Sequence, residues 1–248
     1  MIKIGMIGTG YVGLVSGTCF AELGHQVICI DNNAEKITQL RRAHIPIYEP
    51  MLSEMVSKNI EAGRLYFDTK LQKAVEDSQV LFIAVGTPTD PVTGEADLSY
   101  LKVAVREIAQ FMNGYKVIVV KSTVPVGTCH LVKKMIHEVN PSGEFDIVSN
   151  PEFLREGFAV YDFLNPDRIV VGTETENAKA MMDQIYDVFV KRSIPILYTD
   201  LESSELIKYA ANCFLATKIA FINEIAHLCE KTNANIVDVS KGLGLDKR

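Results

Sequence analysis

A chain of 248 residues, 48% hydrophobic and 23% charged, has an ordinary globular composition and the length of one large domain, or of one domain and part of another. Its net charge of −6 and pI near 5.4 argue against a nucleic-acid surface but leave small anionic ligands open. No apolar run approaches the roughly 20 residues of a membrane span, and the start, MIKIGMIGTG, lacks the architecture of a secretory signal, so a cytoplasmic protein is expected.

The first elements carry the clearest chemistry. Residues 2–7, IKIGMI, read as an apolar strand. Gly8, Gly10 and Gly13 then give G-x-G-x-x-G at the opening of a helix over 11–23. Gly8 permits the tight turn, Gly10 lets the backbone approach a pyrophosphate, and Gly13 lets the helix pack on the strand. The helix N-terminus presents free N–H groups and a partial positive charge to the phosphates. A second strand, QVICI over 26–30, leads into Asp31, placed to hydrogen-bond a ribose hydroxyl pair. A carboxylate there repels a 2′-phosphate, and Asn32 and Asn33 follow instead of Arg, so NAD is favoured over NADP. Lys36, Arg41 and Arg42 are the basic residues nearby.

Helical patterns over 33–42, 50–62, 99–111, 126–139 and 175–190 then alternate with apolar runs at 64–67, 80–85, 116–120, 145–148, 168–172 and 195–199. This alternation predicts an α/β fold, a Rossmann-like doubly wound parallel sheet covered on both faces, over residues 1–199. The segments VGTPTDPVTG (85–94) and KSTVPVGT (121–128) leave strands at the carboxyl edge, where such sheets bind ligands. Small residues there let a cofactor pass close to the backbone. The same residues also read as turn and cap chemistry, with Thr123 capping the next helix and Pro125 in its first turn. In NPEFLREG (150–157), a helical turn starting at Pro151 would set Glu152 and Glu156 at i and i+4 on one face. Two such carboxylates suit acid–base or water-orienting work. A solvated acidic face with Arg155 as counter-ion fits the same residues.

From Asp200 to about Lys231 runs a long helix, apolar around most of its circumference, which predicts burial. Lys208 and Asn212 sit on it one turn apart. Buried, both need partners in protein or ligand; alternatively, Lys208 snorkels, with its stem buried and its ammonium in water. Residues 200–248 read as the opening of an all-α middle domain whose apolar surface needs a partner subunit or a longer chain to cover it. The five cysteines, Cys19, Cys29, Cys129, Cys213 and Cys229, form no CxxC pair and read as reduced core thiols. No Cys/His spacing suggests zinc, so no metal is expected.

In chain order, GTGYVG, PIYEP (46–50), VGTPT, STVPVGT, NPEFLREG, FLNPDRIVVG (163–172) and ELIKYAANCFLATKIAFINEIA (205–226) resemble the UDP-glucose 6-dehydrogenase family of nucleotide-sugar dehydrogenases, from Met1 to Arg248. That family oxidises a sugar C6 alcohol to a carboxylate with NAD, in two steps through a cysteine thiohemiacetal and thioester that is then hydrolysed. The resemblance implies an NAD site made by Gly8, Thr9, Gly10, Tyr11, Val12, Gly13, Asp31 and Lys36. Val85, Thr87, Ser122 and Thr123 would border the cofactor, with Glu156 on the nicotinamide side. It also implies substrate contacts from Glu152, Phe153, Leu154, Arg155, Lys208, Asn212 and, across a homodimer interface, Arg248. Of these, Glu152 would assist water attack on the thioester, while Lys208 and Asn212 would stabilise the oxyanion forming at C6. Thr123 counts with the catalytic residues. The version KYAANCFLATKIAFINE favours UDP-glucose over the GDP-mannose and UDP-N-acetylmannosamine branches.

One departure bears on activity. The family nucleophile lies in a GGSCFP-type motif, and none of the five cysteines has that setting. The expectation is a chain with the NAD domain and a truncated middle domain, holding half of the C6 site and little activity of its own. A stand-alone NAD-binding module is the alternative of a different class. A β-hydroxyacid dehydrogenase shares the glycine fingerprint and a lysine–asparagine helix, but NPEFLREG and PIYEP have no role there.

Overall fold

Strands apolar on both faces need cover on both faces, and the chain supplies it by alternating strand with helix. A computed structural model describes residues 1–246, so the substrate contact expected of Arg248 lies outside the described residues. The order begins β1 (Lys3–Ile7), α1 (Tyr11–Glu22), β2 (Gln26–Ile30), α2 (Ala34–Arg41), α3 (Leu52–Glu61), β3 (Leu65–Asp68), α4 (Leu71–Asp77) and β4 (Val80–Ile83). It continues α5 (Ser99–Phe111), β5 (Lys116–Val120), α6 (Thr128–Val139), β6 (Phe145–Ser149), α7 (Ala159–Leu164), β7 (Ile169–Thr173), α8 (Glu176–Ile185), α9 (Asp187–Lys191) and β8 (Ile196–Thr199). The eight strands make one sheet in the order β3-β2-β1-β4-β5-β6-β7-β8. Every apolar run singled out in the sequence is one of its strands.

Alternation along a strand divides the core. In β4, Phe82 joins the apolar layer built with α1, α3 and α7, while Leu81 and Ile83 join the layer built with α4, α5 and α6. Each such fully buried side chain contributes about 1.5–3 kcal/mol.

Three features depart from the sequence expectation. β7 runs antiparallel to β6, pairing Gly172 with Ser149, whereas the other pairings are parallel. The connection does not recross the sheet as a helix. It stays at the carboxyl edge through the 150–157 segment, and α7 sets Phe163 edge-on against Phe20 of α1, 5.1 Å between ring centres. The helix expected over 175–190 breaks at Tyr186, which turns inward and donates its hydroxyl to Asn150 Oδ1 at 2.6 Å. The third is α4, whose seven residues are too few to show a helical period.

The chain divides into two units, Met1–Leu206 and Ile207–Arg248, and the division falls inside α10 (Leu201–Thr232). The start of α10 belongs to the first unit and lies hard on β7. A Cβ at Gly172 would meet the Asp200 carbonyl oxygen and Ser204 Cβ, each at 2.6 Å. Ser204 Oγ donates to the Ser149 carbonyl at 3.2 Å.

The second unit holds the rest of α10 and α11 (Ile236–Gly244). Asn233, at φ +56°, turns the chain, and the Asn235 side chain accepts from the Val237 N–H at 2.9 Å to cap α11. Phe214, Leu215, Ile219, Phe221 and Leu228 stand exposed on α10 in the single chain, where the sequence reading leaves their cover to a partner subunit or a longer chain. An apolar helix is buried only where a second surface meets it. Among the described residues no helix is long and apolar enough to cross a membrane.

Candidate functional site

The glycine loop has the geometry its spacing predicts. Gly8 lies at φ +96°, and a Cβ there would stand 2.6 Å from the Ala84 carbonyl oxygen. A Cβ at Gly13 would stand 2.0 Å from the Gly8 carbonyl oxygen, so α1 and the loop leaving β1 are in backbone contact. Gly10 faces open space, with nothing within 4 Å of an added Cβ. Among the described residues no side chain caps α1, which opens at Tyr11 and Val12. Its first N–H groups therefore suit an anion. Open space over Gly10, uncapped donors and a carboxylate past β2 together fit a dinucleotide pyrophosphate and ribose.

That carboxylate is Asp31. It accepts from Thr9 Oγ1 at 2.6 Å, the Thr9 N–H at 3.1 Å, the Asn33 N–H at 3.0 Å and Lys36 Nζ at 2.7 Å. Burial pushes the Asp31 carboxyl up, but the Lys36 ammonium and the bonds from Thr9 and Asn33 outweigh it and bring it down to about 2. The group is an anion at neutral pH. Because Lys36 is paired with Asp31, its charge is drawn away from any 2′-phosphate, which favours NAD.

Two loops follow at the carboxyl edge, Val85 and Thr87 after β4, and Ser122 and Thr123 after β5. The structure ties them together. Ser122 Oγ donates to the Val85 carbonyl and Thr87 Oγ1 to the Thr123 carbonyl, each at 2.7 Å. Thr123 does not cap the next helix, because α6 starts at Thr128 with Gly127 in the cap position. Its opening donors go elsewhere. The buried Glu205 carboxylate, 2% exposed, accepts the Gly127 N–H at 2.6 Å and the Cys129 N–H at 2.8 Å.

The 150–157 segment is fixed at both ends. Asn150 donates from Nδ2 to the Val170 carbonyl at 2.7 Å, and its Oδ1 also accepts from Lys121 Nζ at 3.4 Å. From Pro151 to Arg155 the backbone is not helical, so Glu152 and Glu156 do not share a helix face. Glu152 Oε2 instead accepts the Leu154 N–H at 2.5 Å. Leu154 packs on the core, and the Arg168 guanidinium lies 3.8 Å over the Phe153 ring. Arg155 forms a forked pair with Asp162, Nε at 2.9 Å and Nη2 at 2.6 Å. Glu156 is exposed.

One residue to which the sequence reading gave no role joins the first loop to this segment. Glu49 of PIYEP accepts from the Tyr11 hydroxyl, from the Gly157 N–H at 2.9 Å and from the Val160 N–H at 3.3 Å. Its only sequence signal was the PIYEP block itself. Lys208 and Asn212 lie on α10 within the second unit. Lys208 is buried, at 6% exposure, but Asn212 is exposed, against the expectation of burial for both. Among the described residues no group of three His, Cys, Asp or Glu could hold a metal ion.

The NAD binding domain model of the UDP-glucose/GDP-mannose dehydrogenase family matches residues 2–190, and the central domain model of the same family matches residues 202–248. The chain belongs to this family. Its cofactor is therefore NAD. This UDP-glucose/GDP-mannose dehydrogenase chain is 53% identical over 249 residues to the UDP-glucose 6-dehydrogenase of Rhizobium meliloti (strain 1021), covering 100% of itself and 57% of that protein. A solved UDP-glucose dehydrogenase from Pyrobaculum islandicum superposes with a TM-score of 0.94 at 40% identity, covering 100% of this chain and 57% of that one. GDP-mannose dehydrogenase from Pseudomonas aeruginosa gives 0.94 at 33% identity, covering 99% of this chain and 57% of that one. The chain thus spans a little over half the length of the curated relatives it matches.

Proposed function

We propose that the chain carries the NAD site and part of the C6 site for the two-step oxidation of UDP-glucose to UDP-glucuronate, in the cytoplasm. The observation that carries the reading is the open Gly10 cradle with the ionised Asp31, in a chain 53% identical from end to end to a UDP-glucose 6-dehydrogenase. Bound there, NAD would accept a hydride from C6 in each oxidation.

The chain's own residues divide the remaining work. The first N–H groups of α1 hold the pyrophosphate and Asp31 the ribose hydroxyls. The tied loops of Val85, Thr87, Ser122 and Thr123 border the cofactor, and Glu156 stands at its nicotinamide side. Glu152 orients the hydrolytic water, with the Phe153–Leu154 backbone and Arg155 holding substrate. The Lys208 ammonium and the Asn212 amide steady negative charge developing at C6, where fixed donors give the largest rate gains. Arg248 contacts substrate across a homodimer interface.

The covalent step needs a thiolate. Burial pushes the Cys19 and Cys29 thiols up, and burial together with Glu205 pushes Cys129 up. Cys229 is buried and Cys213 stands exposed on α10, outside any Gly-rich turn. These 248 residues alone are therefore assigned little or no UDP-glucuronate synthesis.

Absorbance at 340 nm tests this, with the purified chain, excess NAD and limiting UDP-glucose. The expected result is NAD binding without NADH. Two NADH per sugar would overturn the reading that its own thiols do not serve. NADH from GDP-mannose alone would transfer the assignment to the sister branch, whose solved structure shares the TM-score of 0.94.

A further inference from the structure

Glu49 comes from the irregular stretch between α2 and α3, yet its side chain is only 7% exposed. A carboxylate is costly to bury unless donors satisfy it. The three donors it meets are all neutral, and they come from two distant parts of the chain: the Tyr11 hydroxyl, and the Gly157 and Val160 N–H groups. Tyr11 is the first residue of α1, at the pyrophosphate end of the cofactor site. Gly157, at φ +81°, directly follows Glu156, which the proposed function sets at the nicotinamide end. The Gly157 N–H is shared, lying 2.9 Å from both Glu49 Oε2 and Tyr11 Oη. Burial, and then Glu49 itself, raise the Tyr11 phenol to about 12, so the hydroxyl keeps its proton and stays a donor to the carboxylate. The other side of the segment is held separately, by Asn150 and by the Arg155–Asp162 pair.

We propose that Glu49 is a positioning residue: its carboxylate locks Tyr11 of the glycine loop to Gly157 and so sets where Glu156 stands against bound NAD. The proposal rests on the cofactor reading of the glycine loop. A contact that holds both ends of one ligand's site makes them respond together, and such coupling is reciprocal. NAD on α1 therefore firms the Gly157 turn, and a firm turn tightens NAD.

The test measures NAD affinity by calorimetry, and amide exchange over residues 153–160 with and without NAD, on the 248-residue chain and two variants. Glu49→Gln keeps the volume but presents an NH2 group to donors. Tyr11→Phe keeps Glu49 and removes only the tie to α1. In the unaltered chain NAD is expected to slow exchange at Gly157 and Val160. Glu49→Gln is expected to weaken NAD about 5- to 20-fold, within the usual span of coupling between sites, and to abolish that slowing. Tyr11→Phe is expected to abolish the slowing at Gly157 with a smaller loss of affinity, and it decides the matter if Glu49→Gln does not fold. A merely structural carboxylate gives another pattern: a lower melting temperature with NAD affinity and NAD-dependent slowing unchanged. That pattern overturns the proposal and leaves the cofactor reading standing. No NAD binding by the unaltered chain overturns the cofactor reading, and the proposal with it.

Discussion

Asp31 shows how much one side chain can do at the edge of a sheet. Its two oxygens gather Thr9, Asn33 and Lys36, which hold it ionised and aimed past β2. Removing a charged hydrogen-bonding partner costs about 1.5–3 kcal/mol, so Asp31→Ala is expected to weaken NAD roughly tenfold or more, measured by calorimetry. The same group gives a pH dependence. Its folded carboxyl is lowered from 3.8 to about 2, so its contribution to stability is fully present above 3.8 and is lost as the pH falls through about 2. Denaturant midpoints of the unaltered chain and Asp31→Ala should therefore converge across that interval as acid is added. Asp31 was legible in the sequence because the glycine fingerprint and the second strand place it by local spacing. Glu49 was not, because its donors lie 38, 108 and 111 residues away and no local pattern encodes them. The i, i+4 reading of Glu152 and Glu156 was conditional on a helical turn, and the backbone from Pro151 to Arg155 is not helical, with Glu152 turned back onto the Leu154 N–H.

Among the elements, α6 depends on a residue far along the chain. Its opening N–H groups are met by Glu205 from the first turns of α10. A lost cap costs about 0.5–2 kcal/mol, and buried donors left unpaired add about 1–3 kcal/mol. At roughly 2–4 °C per kcal/mol for a chain of this size, Glu205→Ala is expected to lower the melting temperature by roughly 3–20 °C, read by circular dichroism. An unchanged melting temperature would show that water replaces the carboxylate without loss. The strands were legible because buried parallel strands are unbroken apolar runs. The reversal of β7 was not, since an interior strand has the same composition whichever way it runs. The break between α8 and α9 also escaped, because Tyr186 fits an apolar helix position and only its bond to Asn150 shows why it turns inward.

Across the whole molecule the five free thiols divide unevenly: Cys19, Cys29, Cys129 and Cys229 are buried, and Cys213 is exposed. One thiol of the native chain is expected to react quickly with a thiol reagent, and all five after unfolding. Cys213 shares α10 with the exposed Phe214, Leu215 and Ile219, a stripe of the kind that marks association surfaces. Its rate should fall as protein concentration rises if copies meet there, and an unchanged rate would count against the proposed homodimer. The α/β class was legible across the first unit, while the fate of the long helix was not, because apolarity says that a surface is wanted and not which one. The bond from the Gly157 N–H to the Tyr11 hydroxyl spans 146 residues of sequence. Closing so long a loop is entropically late, so this contact is expected to be absent from the folding transition state and to act on the unfolding rate alone. The proposed grip on the phosphates is built mostly from residues near the start of the chain. During synthesis those residues emerge while the ones proposed to orient the reactive end of the same ligand are still being made.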